Sequence, residues 1–573
     1  MKRSFITLIL ALAAGFAVVC IVSADTGSVY VAQNADEQGS VEGWDEVASN
    51  YIEDLTFTVN VDGTEGTLGS DGIYLSSEGI FMFSQDTVED FFRCAVNVYD
   101  ESSVIVLRGS VVCEAQIGSS SVSADGETVE ISTALVYTDG VLYIPEDFLT
   151  LCMGFEGSVD ISSMSISYTV SDDDLNTLPS YYSSADYGRM PTVKDQGSFG
   201  ACWAAAAASA LEAALLPEEE SELSVDHIMY NSGFGDQGTE SGDQVMSMGY
   251  LLSWKGPVLE EDDPYGDGET DSTLDEVYHV QEIQYLESKD YEAIKEAIIL
   301  YGAVETSMYI ATIGNNFIDY KYYSYTNASY CCTDSTQVIN HEVIIIGWDD
   351  DYPAENFRGN ASSDGAFICL NSWGSGFGSD GIFYVSYEDA YIGTNCLAYT
   401  SVESADNYDN IYQYDDVGWT SNIGYDKSRA YMANVYTAAS DELLEAVGFY
   451  TLGTDTEYAV YVIADYEDES SLSIEGQVYA SGTLSNSGYY TIELAEAVEL
   501  CAGQSFAVIV MVDTVGVGKP LACEQMTDDE RTANVTVEGK LSYISSSGTS
   551  WECTQTSGHE ANICLKAYTS NIE

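Results

Sequence analysis

The spacing of apolar and polar positions changes several times along the chain, and each change predicts a different kind of element. Phe5 to Val22 is an apolar run of 18 residues. Thr56-Phe57-Thr58-Val59-Asn60-Val61 alternates, the period of a half-buried strand, and Val104-Ile105-Val106-Leu107 is continuously apolar, as in a strand covered on both faces. A weak repeat links these strands to short helices. Gly79-Ile80-Phe81-Met82 leads to the helix-like Val88 to Arg93, and Gly140-Val141-Leu142-Tyr143-Ile144 leads to Glu146 to Leu151. Ala204 to Leu216 reads as an Ala-rich helix. From residue 405 onward short apolar strands return between Gly, Ser and Asp turns, including Val447 to Tyr450, Tyr458 to Ile463 and Phe506 to Met511. A series of this kind predicts a β-sandwich over 405–573.

The first run has the flanks of an export signal. Lys2 and Arg3 precede it, and Val22-Ser23-Ala24 offers a small-residue cleavage site. Residues 1–24 are therefore expected to be a signal peptide, followed by a linker over 25–52 and a small β-rich unit over 53–170. The expected location is extracellular. An uncleaved membrane anchor is the competing reading, because 18 residues is at the threshold for a spanning helix. Cys20 does not mark a lipoprotein site, since Val19 before it is too bulky.

Composition narrows the class. A chain of 573 residues has room for three to four ordinary domains. Hydrophobic content of 45% supports real cores and excludes global disorder. The net charge is −77, from 94 Asp and Glu against 17 Lys and Arg. Such a surface repels nucleic acid and anionic membrane and favours a soluble monomer. Of 13 Cys, Cys20 leaves with the signal and Cys202 is reserved for chemistry, so an odd number remains to serve as local staples or buried thiols. No histidine pair has metal-ligand spacing and there is no CxxC, so neither a metal nor a cofactor is expected. The acidic runs at 172–174 and 349–351 match no defined calcium loop.

The candidate chemistry lies in the middle of the chain. Cys202 sits in Gln196-Gly197-Ser198-Phe199-Gly200-Ala201-Cys202-Trp203, at the head of the Ala-rich helix. A helix N-terminus favours the thiolate, which is the nucleophilic form. The chain has only four histidines, His227, His279, His341 and His559. His341, in Ile339-Asn340-His341, is the candidate base, and the others read as surface or capping residues. Asn371 opens Asn371-Ser372-Trp373-Gly374. Cys, then His, then Asn at these separations is a nucleophile, its acid–base partner and an orienting amide.

These three segments resemble the signatures of the papain family of cysteine proteases, and the resemblance covers about Leu178 to Thr400. It implies an α+β fold over 178–400 with a helical lobe and a β-barrel-like lobe. It implies a cysteine endopeptidase acting through a Cys202 acyl-enzyme, with His341 as acid and base and Asn371 orienting it. Gln196 would give a side-chain donor to the oxyanion, with the Cys202 N–H as the second donor. Trp373 would shield the Asn371–His341 pair, and Gly242 would contact substrate backbone. Phe199 stands where many family members carry a disulfide Cys, and Gly242 is single where the family often has a Gly pair. Residues 53–170 resemble the stalk domain of copper amine oxidases, without implying copper. Residues 405–573 resemble the lectin-like domain of secreted bacterial proteases. The expected partners are peptide substrates and a carbohydrate or cell-surface ligand on the C-terminal domain, which is expected to take no part in the chemistry. A catalytically idle adhesin and a thioester-based transpeptidase stay open as alternatives.

Overall fold

The computed structural model describes residues 56–572, except for 70–71, 77–78, 100–101, 139, 171–172, 236–240, 268, 314–316 and 557. Ahead of these, only the backbone of three strands is described, Ile6–Ala13, Phe16–Ser23 and Ser28–Ala32. Ala24 of the expected cleavage site, and the expected linker apart from Ser28–Ala32, lie outside the described residues. Packing divides the chain into two units, Met1–Pro179 and Ser180–Glu573.

The first unit is an α/β body with the strand–helix repeat at its centre. Strand Phe81–Ser84 leads to helix Gln85–Asp90, and strand Val141–Pro145 leads to helix Glu146–Leu151. The two strands pair antiparallel, with Phe83 opposite Ile144. The first helix begins three residues before the expected Val88, because the Ser84 hydroxyl caps it by accepting from the Thr87 N–H. Phe83, Phe92 and Phe155 meet edge to face in the core, with centroids 5.3 and 5.0 Å apart.

The second unit is organised around helix Cys202–Leu215. Its run of alanines has high helix propensity and no bulk, so almost every position from Trp203 to Leu215 is buried. Helices Val225–Asn231 and Gln244–Leu252 pack beside it as one lobe. The other lobe is built on strand His341–Asp349, buried along nearly its whole length. That strand lies between Val304–Met308 and Ala366–Leu370. The fold is thus the expected α+β, two-lobed papain-like arrangement.

The C-terminal residues form a sandwich, as expected, but not an independent one. Strand Tyr278–Leu286 pairs on one side with Thr394–Ser404 and on the other with Ser487–Leu500. A single 13-stranded sheet therefore runs from the lobe built on His341–Asp349 into the C-terminal region. Gly488 is required at the junction, since a Cβ there would lie 2.1 Å from the Ile283 carbonyl oxygen. The second layer is a six-stranded sheet that includes Arg429–Thr437 and Ser505–Asp513. Val447 and Phe449 of the shared sheet pack against Val508 and Val510 of the second.

The described cysteines are all free thiols, and most are buried. Burial in apolar surroundings takes the place of the staples expected from the cysteine count. Among the described residues no helix is long and apolar enough to cross a membrane.

Candidate active site

Cys202 is the first residue of its helix, and Ala201 before it offers no side-chain cap. The N–H groups of the first turn are therefore not consumed by a capping side chain. His341 is the first residue of its strand, and its Nε2 lies 2.8 Å from Asn371 Oδ1. The same oxygen accepts from the Ser372 N–H at 2.8 Å, which fixes the amide with its oxygen toward the ring. The Trp373 ring lies over His341 with centroids 5.0 Å apart.

Gln196 is brought to this group by backbone pairing between two loops. Its N–H donates to the Ser372 carbonyl at 2.8 Å, the Gly374 N–H donates to the Lys194 carbonyl, and Asp195 forms an isolated bridge with Trp373. The side chain is oriented as firmly. Its Oε1 accepts from the Ser372 hydroxyl at 2.7 Å and from Trp373 Nε1 at 3.2 Å, and its Nε2 donates to the Phe199 carbonyl at 2.8 Å. Tyr265 braces the turn by donating from its hydroxyl to the Gln196 carbonyl. Trp373 thus holds Gln196 as well as covering His341. The contributions of Ser372 and Tyr265 were not visible in sequence, because they depend on which loops meet.

Gly242 packs directly on the residue after the nucleophile. A Cβ at Gly242 would lie 2.4 Å from the Trp203 ring, so only glycine allows this approach. Asp243 follows it and caps helix Gln244–Leu252 by accepting from the Val245 N–H.

The electrostatics differ from the sequence expectation. Burial pushes the Cys202 thiol up to about 12, and the neighbouring Glu342 carboxylate adds to the effect. Backbone N–H groups of Glu342, Trp203 and Cys202 act in the opposite direction and are outweighed. Helix position alone therefore does not make a resting thiolate; desolvation is the larger effect. Burial likewise pushes His341 down to about 4, against its bond to Asn371. Either charge alone is disfavoured here.

Glu342 was not singled out from sequence, although it follows His341 directly. Ser307 pairs with Glu342 and Glu305 with Ile344, so both glutamates project from one face of adjacent strands. Burial pushes Glu342 up to about 7, while burial and the neighbouring Glu342 raise Glu305 well above the carboxylate range. Side by side and buried, the two carboxyls are both pushed toward the neutral form. The Tyr399 hydroxyl donates to Glu305.

The other histidines are structural, but two are not at the surface as expected. His227 is buried, with Nδ1 2.6 Å from the Tyr250 hydroxyl. His279 is buried flat against Trp254, with centroids 3.6 Å apart. His559 is half-buried beside Glu552.

The raised carboxyls give stability a definite pH dependence. Burial takes Glu212, Glu342 and Glu524 from an ordinary 4.5 to about 7. The unfolded chain loses these protons first, so stability present below about pH 4.5 is lost as pH rises through about 7. Glu276, Glu388 and Glu442 are held below the usual range, and their contribution is lost as pH falls through it. The thermal midpoint is therefore expected to peak in mildly acid solution and to fall by several degrees by pH 7–8. Differential scanning calorimetry across pH 3.5–8 checks this. A midpoint rising steadily to pH 8 would contradict it.

Residues 178–404 match the papain family of cysteine proteases, and residues 411–569 match the lectin-like domain family. The chain carries a papain-family cysteine protease domain followed by a lectin-like domain. The protease domain is 26% identical to pro-cathepsin H of Mus musculus over 215 residues, 36% of this chain and 60% of that protein. It is 29% identical to a cysteine protease of Blomia tropicalis over 237 residues, 38% of this chain and 64% of that protein. The chain thus spans less than two thirds of the length of these curated relatives. A solved structure of the clostridial cysteine protease Cwp84 after propeptide cleavage superposes with a TM-score of 0.61 at 28% identity. It covers 69% of this chain and 100% of that one. The cysteine protease and lectin-like domains of Cwp84, a surface layer associated protein of Clostridium difficile, give 0.59 at 27% identity. They cover 69% of this chain and 89% of that one. These matches extend through both domains of the second unit.

Proposed function

We propose that this chain is a secreted cysteine endopeptidase that cleaves peptide bonds through an acyl-enzyme on Cys202. The observation that carries this reading is the His341–Asn371 bond, set on a wall shared with Gln196 and closed by Trp373. With Nε2 held by Asn371, Nδ1 is the ring nitrogen that would serve the thiol. Proton transfer from Cys202 to His341 creates two opposite charges together, where burial disfavours either alone. The thiolate would attack the scissile carbonyl, and the imidazolium would protonate the leaving amine. Water then releases the acyl group with His341 as base. Gln196 Nε2 and the Cys202 N–H would bind the oxyanion. Gly242 would offer its backbone to the substrate beside the nucleophile.

An extracellular setting is supported by the likeness to Cwp84, a surface layer associated protein. The lectin-like domain supports a carbohydrate or cell-surface ligand. We infer that residues 53–170 act as a spacer of the copper-amine-oxidase stalk type.

The test is cleavage of a mixed peptide library by the purified chain, with products read by mass spectrometry. Internal cleavage that stops on Cys202 alkylation supports the reading, and no cleavage overturns it. Acyl transfer to an added amine in preference to water would make the protein a transpeptidase instead. Gln196→Ala removes one oxyanion donor and is expected to cost about 10²–10³ in kcat. Asn371→Ala is expected to leave measurable hydrolysis, since His341 can still reach the thiol in some orientations. Equal and total loss in both variants would mean that they hold the fold and not the reaction.

A further inference from the structure

Arg531 of the lectin-like domain reaches the segment that packs on Trp203. Arg531 lies in a short helical turn, Glu530–Asn534, more than a hundred residues past the protease domain. Its Nη1 donates to Asp243 Oδ2 at 2.8 Å, while Nη2 and Nε engage Asp529. Asp529 therefore anchors the guanidinium within its own domain, and the remaining donor is aimed across the interface. Nη1 also approaches Met246 Sδ at 3.7 Å. The backbone joins the same contact, since the Gly235 N–H donates to the Arg531 carbonyl at 2.7 Å.

The target of this contact is the segment that packs on Trp203. Asp243 adjoins Gly242 and caps helix Gln244–Leu252. A shift at Asp243 is felt directly by its chain neighbour Gly242, which lies against Trp203. The chain is also poor in cations, with 17 Lys and Arg against 94 acids, so a partner for Asp243 is not easily replaced.

We propose that Arg531 is a positioning residue for the substrate-binding wall, so that the lectin-like domain sets substrate affinity of the protease from outside it. This rests on the peptidase reading given above. Arg531 touches no reacting atom. It holds Asp243, and through it the Gly242 backbone, at the spacing an extended peptide needs. Displacement of such a wall weakens substrate binding more than it slows the chemical step.

The experiment compares full-length wild type, Arg531→Ala, Asp243→Asn and the double variant. Asn keeps the helix cap and removes the charge. Each is assayed for kcat and KM on a short peptide, for iodoacetamide labelling of Cys202, and for amide exchange at Val245 and Met246. Arg531→Ala is expected to raise KM about tenfold or more, with kcat and the labelling rate little changed and exchange at 245–246 faster. The double variant is expected to be no worse than the more damaging single one, because both act through one contact. Arg531→Lys is expected to restore part of the KM. An unchanged KM in folded Arg531→Ala overturns the proposal, as does full additivity in the double variant. A parallel loss of kcat, labelling and melting temperature also overturns it, because that is the signature of a purely structural role. A wild-type chain that cleaves no peptide overturns the peptidase reading itself, a result distinct from all of these.

Discussion

Cys202→Ala is expected to abolish peptide hydrolysis while leaving the fold and its melting temperature nearly unchanged. The substitution replaces a thiol by a methyl group in an alanine helix with no side-chain cap to lose. Removing a nucleophile costs about 10⁶ in kcat where the remaining binding groups stay in place. His341→Ala is expected to be as severe, because burial pushes the thiol up to about 12 and the proposed base that takes its proton is gone. The thiol that limits activity must be distinguished from other reactive ones. Cys501 is exposed and will also be alkylated, whereas most of the other described cysteines are buried. Labelling should therefore be followed by peptide mapping, in wild type and in Cys501→Ser. Activity is expected to fall in step with modification of Cys202 and to ignore Cys501. Residual hydrolysis above a thousandth of wild type in Cys202→Ala would sink the assignment.

The candidate reacting groups were legible in sequence because their proposed chemistry is local in type. A Cys at a helix head, a His opening an apolar strand and an Asn opening a loop each stand in a short, recognisable segment. The structure then brings His341, Asn371, Gln196 and Trp373 together. What could not be read were properties that depend on surroundings. The helix N-terminus favours a thiolate, yet burial outweighs it at Cys202. Glu342 looks in sequence like an ordinary charged residue at the start of a strand. Only its place in a buried strand, on the face shared with Glu305, raises its carboxyl to about 7. The same limit applies to the domain boundary. The turn-rich pattern after residue 405 correctly gives a β-sandwich, but edge pairing leaves no mark in a strand's own sequence. Ser487–Leu500 reads as a strand of the sandwich and says nothing of its pairing with Tyr278–Leu286.

That pairing reverses the expectation that the C-terminal domain is dispensable for hydrolysis of short peptides. Truncation after Ser404 is expected to give a protein that aggregates or melts at least 10 °C lower, about the shift that a few lost kcal/mol produce in a domain of this size. The cut exposes one edge of Tyr278–Leu286 along the register Glu282 to Tyr285, an unpaired strand facing solvent. It also uncovers core. Tyr450, Tyr489, Ala522 and Cys564 belong to the same buried cluster as Trp203, Leu251 and Tyr399. Trp254, stacked on His279, loses the Tyr568 ring at 5.5 Å. Lys255 loses the Asp416 carbonyl that receives it at 2.6 Å. Helix Gln244–Leu252 would then lack the Arg531 contact at its start and the Val417 backbone that presses on Gly249. Peptide hydrolysis should fall with the loss of this wall even in the fraction that remains folded. Circular dichroism melts, dye binding to exposed apolar surface and kcat/KM on one short peptide, measured on the same preparation, separate the two effects. A soluble, cooperatively melting 178–404 fragment with full kcat/KM would show that the shared sheet is a convenience of assembly and that the catalytic lobes stand without it.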